Sequence, residues 1–177
     1  MRIISGIHKG KRLQAPKNLP VRPTTDFAKE GLFNILRNQY DLGSTDVLDL
    51  FAGTGNMSYE FGSRGTSYIV SVDAHYGCVK FIRQTAEQLE LPIQTVKSDV
   101  VKFLSATPET FDIIFADPPY DFSAETIAEM TAIIFERNLL KPEGVCIIEH
   151  AKHTDISQLD QWTEARKYGS SVFSFFR

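Results

Sequence analysis

The chain of 177 residues is 42% hydrophobic and 23% charged, the composition of an ordinary globular domain large enough to bury a core. No apolar run reaches the roughly 20 residues of a membrane-spanning helix, and the opening MRIISGIHKG lacks the apolar stretch of a secretory signal, so no membrane association and a cytoplasmic location are expected. The net charge of -3 conceals an asymmetry: residues 1–40 carry eight basic and two acidic side chains, a net of +6 that leaves -9 for the rest. Such a basic arm is a candidate phosphate-binding surface, and a merely solvated basic hairpin accounts for the charge equally well.

In chain order, residues 2–5 and 11–15 read as two short strands around Gly6-Ile7-His8-Lys9-Gly10. Pro16, Pro20 and Pro23 enforce extended chain. Thr24 or Thr25 caps a helix reaching about Gln39, with an apolar stripe of Ala28, Leu32, Ile35 and Leu36. From Asp46 onward strands and helices alternate. Strands are expected at 46–50, 68–73, 93–97, 112–116 and 144–149, with helices near 56–64, 75–90, 99–106 and 122–138. This order predicts an open, mostly parallel α/β sheet, and the runs at 112 and 144 are apolar enough to be covered on both faces. Residues 162–168 and 171–176, separated by Gly169-Ser170, read as a closing antiparallel hairpin. The one candidate boundary lies near 40–45, dividing a basic arm and helix (1–40) from the α/β body (41–177).

Ligands of such sheets bind at the carboxyl ends of the strands. The first body strand runs into Asp49-Leu50-Phe51-Ala52-Gly53-Thr54-Gly55-Asn56, where Gly53 and Gly55 permit a sharp turn and close approach of a ligand. A dinucleotide site would carry a third glycine at position 58, which is Ser58 here. Asp49 suits an ammonium group rather than a pyrophosphate. Asp73 closes the second strand, where a carboxylate can accept from both ribose hydroxyls, and Asp99 follows the third, where it can accept from an adenine amino group. Each is also a candidate helix N-cap, and for Asp99 taken alone that reading prevails. Taken together, an amino acid, a ribose and an adenine in order describe S-adenosylmethionine better than a nicotinamide cofactor.

The fourth strand ends in Asp117-Pro118-Pro119-Tyr120. Two consecutive prolines fix φ and remove two backbone donors. The Asp117 side chain and the Pro118 carbonyl can then hold the two hydrogens of a flat amino group while Tyr120 stacks on its ring. Such an amine is a poor nucleophile, because its lone pair is delocalised, so orientation is the main service required. Asp117 is assigned orientation before proton removal. Cys78 and Cys146 read as buried free thiols, and His8, His75, His150 and His153 as surface or packing residues; no metal is expected. Trp162, Phe173, Phe175 and Phe176 read as core.

The segments RIISGIHKGKRLQAP, RPTTD, LFN, DLFAGTGN and DPPY resemble the RsmD-type 16S rRNA guanine-N2-methyltransferases, a resemblance running from Arg2 to the terminal hairpin. It implies a Rossmann-like class I methyltransferase with a seven-stranded sheet, an N-terminal β-hairpin that engages rRNA, S-adenosylmethionine as cofactor, and transfer to the 2-amino group of one guanine in the small subunit. Carried over by position, it places Asp49, Gly53 and Gly55 on the methionine part of the cofactor, with Phe51, Ala52 and Thr54 also cofactor-binding. Asp73 falls to the ribose and Asp99 to the adenine, with their neighbours Ala74 and Val100 also cofactor-binding and Arg22, Thr24 and Thr25 over the pocket. Asp117, Pro118, Pro119 and Tyr120 take the target base, and Arg2, Lys9, Lys11, Arg12 and Arg22 face RNA. The substrate is 16S rRNA, free or in a small-subunit particle, and the enzyme is expected to be a monomer. One departure is evident: the basic residue usual after RPTTD is Phe27, and Gly31 sits in the helix, where glycine costs about 1 kcal/mol relative to alanine. The alternatives are an N6-adenine or N4-cytosine methyltransferase and a non-catalytic rRNA-binding assembly factor; a nicotinamide oxidoreductase is disfavoured by Ser58.

Overall fold

A computed structural model describes residues 1–17, 19, 24–119 and 122–177. Arg22 and Tyr120, both expected at the site, lie outside the described residues, as do Pro20 and Pro23. The body is one seven-stranded sheet in the order β3-β2-β1-β4-β5-β7-β6. Its parallel members are β1 (Asp46–Leu50), β2 (Tyr68–Asp73), β3 (Ile93–Lys97), β4 (Phe111–Ala116) and β5 (Leu140–Ala151). The antiparallel members are β6 (Trp162–Tyr168) and β7 (Ser171–Phe176), with β7 against β5. Connecting helices are α2 (Asn56–Ser63), α3 (Tyr76–Gln88), α4 (Val100–Ala106) and α5 (Ala124–Glu136), preceded by α1 (Asp26–Gln39). The strand order reverses at β1–β4, the point at which open α/β sheets form their ligand crevice. The expected fold class, a Rossmann-like methyltransferase sheet with a C-terminal antiparallel hairpin, is the one observed.

Strand alternation sorts side chains into two cores. Leu48, Ile114, Ala116, Cys146 and Ile148 point to one face and pack with Leu104 of α4 and Ile127, Met130 and Ile134 of α5. Val47, Ile113, Phe115, Val145 and Ile147 point to the other and pack with Ala28, Leu32, Phe33 and Leu36 of α1 and Phe61 of α2. Both faces of β4 and β5 are therefore covered, which is why residues 113–116 and 145–148 are apolar without interruption. Thr25 is the N-cap of α1, its side chain accepting from the Ala28 amide at 3.2 Å.

Two expectations are corrected. The paired strands 2–5 and 11–15 reduce to one bridge, Arg2 to Arg12. The chain does double back, with Ile3 N donating to Lys11 O at 3.0 Å and Leu13 N to Met1 O at 3.0 Å. The amides that would extend the ladder go elsewhere: Ile4 N and Ser5 N donate to the Glu60 carboxylate at 2.8 and 3.1 Å, and Ile7 N to Ser63 O at 2.7 Å. The arm is thus laid on α2. Second, β5 begins four residues before the expected 144, because Leu140 already pairs with Phe111. Pro142, Glu143 at φ 62° and Gly144 mark a bend within that strand rather than its start.

Candidate active site

At the carboxyl ends of β1, β2 and β4 lies a cavity of about 520 Å³. Of the expected cofactor and base residues, thirteen line it: Thr24, Asp49, Phe51, Ala52, Gly53, Thr54, Asp73, Ala74, Asp99, Val100, Asp117, Pro118 and Pro119. Two described residues do not. Thr25 serves as the α1 cap, and Gly55 turns inward at φ 81°, where a Cβ would come within 2.7 Å of the Tyr59 ring. Lys9, Lys11 and Arg12 stand exposed on the arm, while Arg2 is ion-paired with Asp26 at 2.9 Å.

The loop after β1 is shaped by left-handed residues: Phe51 at φ 56°, Gly53 at 55° and Gly55 at 81°. A phenylalanine in that region is strained, and its ring is held edge-on by Phe122, with centroids 5.1 Å apart. Asp73 braces the same loop. Its Oδ2 accepts from Gly53 N at 2.8 Å and its Oδ1 from His75 N at 2.7 Å. Asp99 caps α4 by accepting from Lys102 N at 3.0 Å, so its structural and cavity-lining roles coexist.

Asp49 is the electrostatic centre. It is buried, and its Oδ2 accepts from both the amide and the hydroxyl of Ser58, the amide at 3.1 Å. Ser58 Oγ also lies 2.6 Å from Ser71 Oγ. The residue that argued against a pyrophosphate site is thus the one that holds the carboxylate. Burial disfavours the charged form and pushes the Asp49 carboxyl up to about 7, against the opposing Ser58 hydrogen bonds. A buried carboxylate of this kind is stabilised by an arriving cation, which fits an ammonium-bearing ligand.

Several wall residues were not identified from sequence. Asn56, Met57, His75, Cys78, Phe115 and Phe122 all face the cavity, with the Cys78 thiol pushed up to about 11 by burial. Beneath them runs a buried polar chain. Lys29 Nζ donates to Arg2 O at 2.6 Å, Asn56 Oδ1 at 2.9 Å and Glu60 Oε2 at 3.4 Å. Asn56 Nδ2 donates to Thr24 O at 2.9 Å, and Thr24 Oγ1 to Glu149 Oε2 at 2.7 Å. Lys29 and Glu60 are fully buried; burial lowers the lysine's pKa and the Glu60 carboxylate opposes that shift. The chain ties the arm at Arg2 to the cavity wall at Thr24. A basic residue inside an otherwise amphipathic helix reads as exposed in sequence, and nothing in its spacing names a partner on another helix.

A model of the family described as conserved hypothetical protein 95 matches residues 1–177. The Bacillus subtilis protein YlbH, provisionally named an rRNA methyltransferase, is 32% identical over 163 residues, covering 89% of this chain and 86% of that protein. Ribosomal RNA small subunit methyltransferase D of Haemophilus influenzae is 28% identical, covering 99% of this chain and 91% of its own. A Thermus thermophilus 16S rRNA N2 G1207 methyltransferase, RsmC, solved in complex with AdoMet and guanosine, shares the fold at a TM-score of 0.71 and 21% identity, over 90% of this chain and 45% of that one. On these grounds, and with the full-length family match, the chain belongs to the RsmD-type methyltransferase family.

Proposed function

We propose that this chain transfers a methyl group from S-adenosylmethionine to the exocyclic N2 of a guanine in small-subunit rRNA. The observation that carries the reading is one cavity in which a buried carboxylate at the end of β1, a second at the end of β2 and a third at the start of α4 face Asp117-Pro118-Pro119 at the end of β4. Bound there, S-adenosylmethionine supplies an electrophilic sulfonium methyl. Asp49 receives the ammonium, Asp73 the ribose hydroxyls and Asp99 the adenine amino group, while Phe51 and Phe122 exclude water from one wall. The Asp117 carboxylate and the Pro118 carbonyl accept the two amine hydrogens, which localises the nitrogen lone pair and aims it into the cavity; positioning of this kind supplies several kcal/mol. Transfer would form the N–C bond as the methyl–sulfur bond breaks to leave a neutral thioether, with the amine proton passing to Asp117 or water.

The amine clamp serves any planar amino group, so guanine and rRNA rest on other support: the names of the H. influenzae and T. thermophilus proteins and the basic arm. Residues 1–40 act as the RNA-binding extension of a cytoplasmic, monomeric enzyme, with Lys9, Lys11 and Arg12 exposed for phosphates. Purified chain, labelled S-adenosylmethionine and small-subunit rRNA test the reading: label is expected at guanine N2, and label at an adenine or cytosine amine, or none, contradicts it.

A further inference from the structure

The outer face of α1 takes no part in the site described above. Phe27, Gly31, Asn34 and Asn38 recur there on one stripe at helical spacing. Phe27 is 66% exposed. Tyr168, at the end of β6, lies against the same stripe, its ring centroid 5.7 Å from that of Phe27 at an interplanar angle of 74°. Gly31 makes that approach possible, since a Cβ there would come within 2.0 Å of Tyr168 Cε1. The result is a groove of about 610 Å³ with an aromatic floor, bordered by Glu30, Asn34, Asn38 and Gln39.

An exposed apolar groove alone does not name its partner; its neighbour does. Across Glu30 and Asn34, which line both, opens a second cleft of about 350 Å³ carrying Arg2, Lys9, Arg37 and Arg64. Arg2 is committed to Asp26 and Arg64 to Glu60. Lys9 and Arg37 hold no ion pair among the described residues, and Lys11 and Arg12 stand exposed on the same arm as Lys9. Aromatic floor, carboxamide and carboxylate walls, and adjoining unpaired cations match an unpaired base with its phosphates: stacking holds the ring, side-chain amides and a carboxylate meet its polar edge, and cations meet the backbone.

We propose that the outer face of α1 is an RNA contact separate from the methyl-transfer cavity, in which an unpaired base stacks on Phe27 with its edge toward Tyr168, beside Asn34 and Asn38, while its phosphates lie on Lys9 and Arg37. It rests on the reading that the substrate is RNA. Phe27 thereby gives a stacking contact where the resemblance led us to expect a cation. The helix starts two residues after Thr24, at the cavity rim, so RNA lying along α1 leads to the reaction site.

Affinity for a labelled single-stranded fragment of small-subunit rRNA, measured at several salt concentrations, tests this. Phe27→Ala is expected to weaken binding by roughly 5- to 150-fold, the range of one lost base stack, with an unchanged salt slope. Phe27→Trp is expected to retain it. Arg37→Gln is expected to weaken binding and to lower the slope by about 0.7. Both positions are exposed, and affinity for S-adenosylmethionine and melting temperature stay as in the parent. Unchanged affinity in Phe27→Ala overturns the proposal, and so does a loss confined to assembled subunits with naked RNA unaffected, which would make the groove a protein contact. Because binding is read without catalysis, a chain that binds RNA through α1 yet transfers no methyl contradicts the proposed function alone. Normal methylation with unaltered RNA affinity in Phe27→Ala contradicts this surface alone.

Discussion

If Asp49 receives the cofactor ammonium as proposed, cofactor binding should depend on pH with a sign that follows from the burial of that carboxyl. In the protein without ligand the carboxyl ionises near 7, because desolvation favours the neutral acid. An ammonium-bearing ligand selects the ionised form, so proton release and binding are coupled. Below about pH 7 the affinity should fall close to tenfold per unit, and above it the curve should level; from about pH 8 to about pH 5 the loss is roughly 90-fold. The linkage to stability has the opposite sense. Between the ordinary carboxylate range and about 7 the folded protein binds a proton that the unfolded chain has lost, so this group's contribution falls as pH rises, by an order of 4 kcal/mol across the window. Asp49→Asn keeps the Ser58 hydrogen bonds possible and cannot ionise. Calorimetric titration with S-adenosylmethionine, run beside thermal unfolding from about pH 5 to about pH 8, measures both effects. The parent should gain affinity and lose melting temperature with rising pH, and the Asp49→Asn variant should show both curves flattened while binding more weakly throughout. An affinity independent of pH in the parent, or the same slope in Asp49→Asn, refutes the assignment of the ammonium to this carboxylate.

Four further outcomes are expected. Asp117→Ala should lower single-turnover methyl transfer by roughly 10²–10⁴-fold with cofactor affinity retained in a direct binding assay; a parallel loss of binding contradicts its role toward the amine. Gly31→Ala should destabilise the protein by about 1–3 kcal/mol in denaturant titration, since the Tyr168 ring must move. Helix propensity alone predicts a gain of about 1 kcal/mol, so the sign decides between them. Lys29→Met removes one of the two cations on buried Glu60, Arg64 being the other, and the donor to Arg2 O and Asn56 Oδ1; it should cost about 1–3 kcal/mol, seen as a lower melting temperature, and an unchanged one would mean that the arm is held without this lysine. Replacing Lys9, Lys11 and Arg12 together by alanine should weaken rRNA binding and reduce its salt slope by about 2, and an unchanged slope removes the arm from the RNA surface.

The body of the fold was legible because its signals are local. Short runs rich in β-branched and apolar residues at 46–50, 68–73 and 93–97 and the Gly169-Ser170 hairpin appear at the expected bounds, since each is delimited by the helical and turn-forming stretches beside it. Cavity residues at strand ends were legible too, because the parallel topology itself brings those ends together. The arm reads as paired strands in sequence, whereas its amides are taken by Glu60 and Ser63, more than fifty positions away. Lys29 and Glu60 escape a sequence reading for the same reason: each looks like a solvated helix charge until the helices are packed. Gly31 looks like a defect in α1, and its cause is a tyrosine 137 residues further along the chain. Long-range contacts of this kind leave no periodicity for a sequence reading to find.

The most direct test of the account is the position of the methyl group. Small-subunit rRNA from cells lacking this chain, incubated with the purified protein and labelled S-adenosylmethionine and then digested to nucleosides, should yield labelled N2-methylguanosine from a single site, and Asp117→Ala should form it at least about 100-fold more slowly. Label recovered as N6-methyladenosine or N4-methylcytidine, or transfer at the parent rate in Asp117→Ala, would contradict the account.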